Sequence, residues 1–294
     1  MGIDRREFVA GAAAVGLAAC SHGGTAGEPE PVAPPAEPGV VRVASVKTAV
    51  DGGLLPALTG RFERGSPLRV RVTTGERVYD LARRGDADLV ISHYGHKDAE
   101  GFVLAGLGEW PRTIFSNQMA LLGPPADPAG VRGLDDACVA LSRIAATRSK
   151  LVVNDLDGVR YLSSILWHGA GRPDRAGWWL DAGASKDAAI ELASRLGAYV
   201  LWGLTPFLEL GRTTPLALEP LVLADPLLQR MLVSVVVKPA GSRRVNRDGA
   251  AAFEQFLLAP ETQAAIRATR YPGKTAVNWV PAGRNNRTAI LPKG

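Results

Sequence analysis

The stretch LRVRVTTGERVYDLARRGDADLVI, residues 68–91, decides the fold class. Leu68-Arg69-Val70-Arg71-Val72 alternates with period two and reads as a strand. Thr73-Thr74-Gly75 reads as a turn, and Glu76 to Arg84 as a helix stopped by Gly85. Ala87-Asp88-Leu89-Val90-Ile91 reads as the next strand. Strand, helix and strand in that order predict an α/β domain with mostly parallel strands.

The pattern continues outward on both sides. Val40 to Ala44 is a strand, Ser45 to Gly53 a loop and Leu54 to Phe62 a helix. Downstream, strands are expected at Met119–Leu122, Leu151–Val153, Tyr199–Leu201, within Leu216–Leu223 and at Leu232–Val237. Helices are expected at Ala137–Thr147, Tyr161–Trp167, Lys186–Leu196, Gly249–Leu258 and Glu261–Thr269. Ligands of parallel sheets sit at the carboxyl ends of strands, beside helix N-termini. Ser45–Thr48, Thr73–Gly75 and Ser92–His96 occupy such positions.

The first forty residues read as an address. Arg5-Arg6 precedes Phe8 and a short Ala/Gly-rich apolar run, Val9 to Ala19. That run is shorter than the ~20 apolar residues of a spanning helix. Paired Arg before a weakly apolar segment points to twin-arginine export. Leu17-Ala18-Ala19-Cys20 looks like a lipobox, with Cys20 the lipidation site and residues 1–20 the signal. Residues 21–39 include Pro31, Pro34, Pro35 and Pro38, with Glu28, Glu30 and Glu37, and read as a semi-extended tether. An exported, membrane-anchored lipoprotein is therefore expected, in the periplasm or cell envelope.

Composition narrows the function. The chain has 294 residues, 46% hydrophobic and 21% charged, with formal net charge +5. That is a globular composition with room for two lobes. The signal is neutral and the tether acidic, so the remainder is near +8. On an exported protein such charge suits an anionic ligand or an anionic membrane face; no nucleic-acid partner is expected. Two Cys and four scattered His give no metal spacing, and no metal or cofactor is expected. With Cys20 lipidated, Cys138 reads as a buried structural thiol. Asp155 and Asp157, or His93 and His96, come without a Gly-x-Ser-x-Gly or metal-binding pattern, so an enzyme is not expected.

Several segments taken together carry a family resemblance. They are Gly53-Leu54-Leu55, Leu81 to Asp88, His93, Leu122-Gly123-Pro124, Asp127 to Gly130 and Leu166-Trp167. Trp179 to Gly183, Ala193 to Leu201 and Asp225 to Leu228 complete the set. In order and spacing they resemble the periplasmic substrate-binding proteins of tungstate ABC transporters, over about residues 41 to 270. The resemblance implies a two-lobed periplasmic-binding-protein clamp of the type 2 kind. Each lobe would be a mostly parallel sheet flanked by helices, with the ligand cleft between them. Lobe one would be 40–118 with 233–294, and lobe two 119–232. It also implies a small oxyanion ligand resembling tungstate or molybdate, an ABC permease as partner and a monomeric state.

The resemblance also indicates where the ligand would lie. The family's first ligand loop, Thr-Thr-Thr-Ser, falls on Ser45-Val46-Lys47-Thr48. Lys47 either pairs the anion or stands solvated at the mouth. The second loop falls on residues 152–160; Asp155 and Gly158 match, the family Arg becomes Val153 and its Thr becomes Val159. Arg160 then offers the positive charge there. Thr74 joins the first lobe's hydroxyls, and Ser185 is a ligand-facing group or a helix cap alone. Trp202 lines the cleft or packs, and Trp178-Trp179 is core. The alternative function is the same fold turned to an organic solute, or to a sensory or regulatory partner.

Overall fold

The computed structural model describes residues 37, 39–240, 244–269 and 279–281. The expected signal, Cys20 and residues 21–36 of the tether lie outside the described residues. The tether's last acid, Glu37, forms a two-pronged ion pair with Arg71 at 3.0 and 3.1 Å.

Three β-branched runs become β1 (Val40–Ser45), β2 (Arg69–Thr74) and β3 (Leu89–His93), and β1 pairs in parallel with both others. Parallel neighbours need a crossover. From β1 to β2 it is α1 (Lys47–Asp51) and α2 (Leu54–Arg64), and from β2 to β3 it is α3 (Val78–Arg84). α2 buries Leu54, Leu55, Leu58 and Phe62, the three-and-four spacing of one helix face. Gly85 ends α3 at φ 84°, a left-handed position where a side chain would be strained. Along β3, Leu89 and Ile91 enter one apolar cluster and Val90 another. The strand is thus covered on both faces, as parallel strands usually are.

After α4 (Lys97–Leu104) the chain enters β4 (Arg112–Gly123), twelve residues long. A second α/β unit follows: α5 (Ala137–Ala146), β5 (Leu151–Val152), α6 (Asp157–Gly169), β6 (Trp179–Leu180), α7 (Lys186–Leu196) and β7 (Tyr199–Gly203). Here β5 is parallel to both β6 and β7. Next come α8 (Leu204–Leu210) and β8 (Glu219–Val222). β9 (Gln229–Val236), α9 (Arg247–Leu258), α10 (Pro260–Ala268) and β10 (Trp279–Pro281) complete the described chain. The strand order is β2-β1-β3-β9-β4-β7-β5-β6, with β8 and β10 also on β4. The two parallel trios are joined by β9 and β4, which run antiparallel to each other and to the trios. Each trio has its own apolar core. One gathers Leu141, Leu162, Trp178, Ile190 and Tyr199; the other gathers Val41, Leu55, Phe62, Ile91 and Phe253.

Three sequence expectations need correction. The loop expected at Ser45–Gly53 contains α1, which has no side-chain cap to announce it. The helix expected from Tyr161 begins at Asp157, so Asp157 to Arg160 are helical. The strand expected at Met119 begins at Arg112, because Ser116, Asn117 and Gln118 are polar yet buried where the trios meet.

Asp88 pins the first trio to its covering helix. Its carboxylate is fully buried and takes the Arg42 guanidinium at 2.6 Å, the Arg42 N–H at 2.7 Å and the Asn246 N–H at 2.9 Å. Breaking a buried pair leaves a desolvated charge and costs about 3–5 kcal/mol. Asp88→Ala is therefore expected to lower unfolding free energy in urea by that amount, with Asp88→Asn costing less. A loss under 1 kcal/mol for Asp88→Ala would show that water can replace the carboxylate.

Candidate functional site

The parallel trio β2-β1-β3 ends at one edge, on Thr74, Ser45 and His93. Ser45 stands opposite Thr74 in register; it is fully buried, and its hydroxyl donates to the Val46 carbonyl at 3.1 Å. Thr74 is exposed. Lys47 is the first residue of α1, with a side chain 72% exposed and Asp51 3.9 Å away, and Thr48 is half-buried beside it. Ser92 is buried against the Tyr79 hydroxyl at 2.9 Å. The His93 ring is pushed down to a pKa of about 3, chiefly by burial, then by the charges of Arg230 and His96. It is therefore a neutral hydrogen-bonding group at physiological pH.

The second trio offers helix starts. Asn154 is buried, and its Oδ1 accepts from Lys186 N–H at 2.9 Å and Leu156 N–H at 3.3 Å. One side chain thus ties the beginnings of α6 and α7 together. Ser185 stands at the cap position of α7 but makes no capping hydrogen bond; Asn154 does that work. In the first turn of α6, Val159 and Arg160 N–H both donate to the Leu156 carbonyl. Asp157 and Gly158 N–H have no acceptor among the described residues. Arg160 points its guanidinium at two carboxylates, Asp155 at 2.5 Å and Asp181 at 2.7 and 2.8 Å. Those acids hold the charge that the sequence reading assigned to an anion. Val153, one residue past β5, is buried and donates its N–H to the Leu180 carbonyl at 2.9 Å. Val159 is buried in the core of the second trio.

The two trios approach each other at this edge. Lys186 Nζ donates to Glu76 Oε1 at 2.6 Å, linking the start of α7 to the turn after β2. Helix α1 also packs against α8. Beneath them run the joining strands. Arg230 of β9 stands directly opposite Asn117 of β4, and its Nη1 lies 3.9 Å from Met119 Sδ. A Cβ added at Gly158 would stand 3.3 Å from that nitrogen, so the guanidinium lies against the first turn of α6. Burial lowers the Arg230 pKa, and no carboxylate acts against the shift. Trp202 is buried with the core of the second trio rather than open to the edge. Among the described residues, no group of three or more His, Cys, Asp or Glu could hold a metal ion.

Asn154, the Glu76–Lys186 pair and Arg230 are not among the residues expected from the sequence. Arg230 had a signal, a cation between Gln229 and Met231 at the mouth of an apolar β run. Asn154 and Glu76 look like ordinary turn residues, and nothing local marks them.

No family model matches the chain. The "Putative ABC transporter anion-binding protein" of Haloferax volcanii is 29% identical, over 90% of this chain and 83% of its own length. The tungstate-binding protein TupA of Peptoclostridium acidaminophilum is 25% identical, over 78% of this chain and 80% of its own. Among solved structures, the tungstate-binding protein TupA of Desulfovibrio alaskensis superposes with a TM-score of 0.71 at 25% identity, covering 82% of this chain and 98% of that one. The expected resemblance to tungstate-binding proteins, and the type 2 periplasmic-binding-protein fold, are borne out.

His93 gives a test of the edge. An unfolded His gains its proton near pH 6.5, whereas folded His93 waits until about 3. The unfolded chain therefore binds more protons between those values, and stability falls as pH falls, by up to about 1.4 kcal/mol per unit. Urea unfolding at pH 4, 5 and 6 is expected to show a shallower acid slope in His93→Gln than in the parent. Equal slopes would mean that His93 titrates like a free imidazole.

Proposed function

We propose that this chain is the extracytoplasmic anion-binding component of an ABC importer. It takes a small oxyanion resembling tungstate or molybdate between two lobes, residues 40–118 with 233–294 and residues 119–232. The observation that carries this reading is the convergence at one edge. The ends of β1, β2 and β3 face the starts of α6 and α7, and the Glu76–Lys186 pair spans them. Unengaged N–H groups in a helix's first turn favour an anion, because the helix dipole adds about half a positive charge there. Neutral His93 and the Thr74 hydroxyl supply further donors without like-charge repulsion. The names of the two relatives point to the same class of ligand.

The protein binds and releases; it performs no chemistry. Closure of the lobes around the ligand would present the loaded form, as a monomer, to a membrane permease. Cys20 supports attachment by a lipid. No helix among the described residues is long and apolar enough to cross a membrane.

Calorimetric titration of the full chain in mild detergent, with sodium tungstate, molybdate and sulfate, tests the reading. Saturable binding of at least one is expected. That ligand should stabilise the chain by about 4 kcal/mol at a thousandfold excess over Kd. No heat and no thermal shift with all three would overturn the oxyanion assignment. Metabolic labelling with a radioactive fatty acid is expected to mark the parent and not Cys20→Ser.

A further inference from the structure

We infer that Arg230 is the cationic group that grips the bound oxyanion, so that the charge comes from the joining strand β9 and not from the loop after β5. The inference rests on the anion-binding reading and names the residue that gives that site its charge.

Arg230 differs from the other arginines around the trios. Arg42 is paired with Asp88, Arg112 with Glu254, and Arg160 with Asp155 and Asp181. Arg230 has five N–H donors to place, and its one polar contact among the described residues is the weak acceptor Met119 Sδ. It is partly buried in a strand whose following residues, Leu232, Val233, Val235 and Val236, are apolar core. A desolvated guanidinium without a carboxylate is costly there, and an apolar residue would serve the strand better. The fold itself supplies no reason for a cation at this position.

A second observation lies across the ladder. Asn117, directly opposite Arg230, is 3% exposed, and its Oδ1 has no hydrogen-bond partner. Buried side-chain polar groups are normally satisfied, so this one needs an explanation. A buried Asn117 and a partly buried Arg230 opposite it therefore remain unmatched by the fold, and Arg230 lies next to the first turn of α6 with its unengaged Asp157 and Gly158 N–H groups. The planar fork of a guanidinium fits two oxygens of one oxyanion, and α6 supplies donors for a third. Gly158 lets the guanidinium stand close to the first turn of α6, so that one small anion could reach both sets of donors.

The test is titration of the full chain with sodium tungstate and molybdate, comparing the parent with Arg230→Gln, Arg230→Lys and Arg160→Gln. Arg61→Gln, exposed on α2, controls for the loss of one charge. Arg230→Gln is expected to weaken binding at least a hundredfold, and Arg230→Lys to fall between it and the parent. Both should melt at or above the parent's ligand-free temperature, which separates lost binding from lost folding. Arg230→Gln binding within fivefold of a parent that binds would overturn this assignment and leave the anion-binding reading standing. So would a greater loss in Arg160→Gln, which would return the role to α6. A parent silent to both anions and to sulfate would overturn the anion-binding reading, and this assignment with it.

Discussion

The structure depends on β4 serving two sheets at once. Its first half pairs with β9 and β10, and its second half with β7 and β8. Each trio can bury its own apolar faces, but neither trio pairs with the other directly. Everything that relates them is carried by β4 and β9, together with the few contacts at the facing edge. A strand in that position meets opposite demands. It must be as buried as a core strand, yet it lies between two cores and not inside either. Its middle, Ser116-Asn117-Gln118, is accordingly polar and almost fully buried.

The residues that carry the family resemblance act mostly as pins of the backbone. The Tyr199 hydroxyl donates to Asp127 at 2.7 Å and accepts from Ala129 N–H at 2.9 Å, which fixes the loop after β4 to β7. Asp225 accepts from Ala137 and Leu227 N–H at 2.6 and 2.7 Å, joining the start of α5 to the approach to β9. The Trp178 indole, in the core of the second trio, donates to the Asp174 carbonyl. None of these touches the facing edge. Such residues report on architecture, so a chain can keep them all while the groups that meet a ligand change.

That division explains what the sequence disclosed. The trio β2-β1-β3 was legible in residues 68–91, because period-two alternation, a glycine stop and a second apolar run are all local signals. The helix at Lys186–Leu196 was legible to its ends for the same reason. What failed was non-local. α1 lacks a capping side chain, and α4 is capped by the His96 ring, a residue seldom read as a cap. Residues 112–118 of β4, mixed in polarity, form a strand through pairing with β9 and β10. At the site, Ser45 stands opposite Thr74 and Ile91, with His93 two residues further along β3; the alternation marks these strands, and the pairing between them comes from the fold. Arg160 was legible as a cation but not as one already claimed by Asp181, twenty-one residues further on.

Val153, where the resemblance to tungstate-binding proteins would put an arginine, is apolar. Val153, one residue past β5, is buried with its N–H on the Leu180 carbonyl, so the position carries no charge to the facing edge. A cation on β9 is placed differently. It lies on a strand bonded to β3 of the first trio and to β4, and it touches α6 of the second. An anion held by a loop of one lobe is bound by that lobe first, and closure adds the other. On the proposed reading, an anion held from the joining strand would lie against the first turn of α6, with groups of both trios within reach from the start. Binding strength and the preferred angle between the trios would then depend on the same residue, because the position of Arg230 is fixed by the β9–β4 ladder that joins the trios.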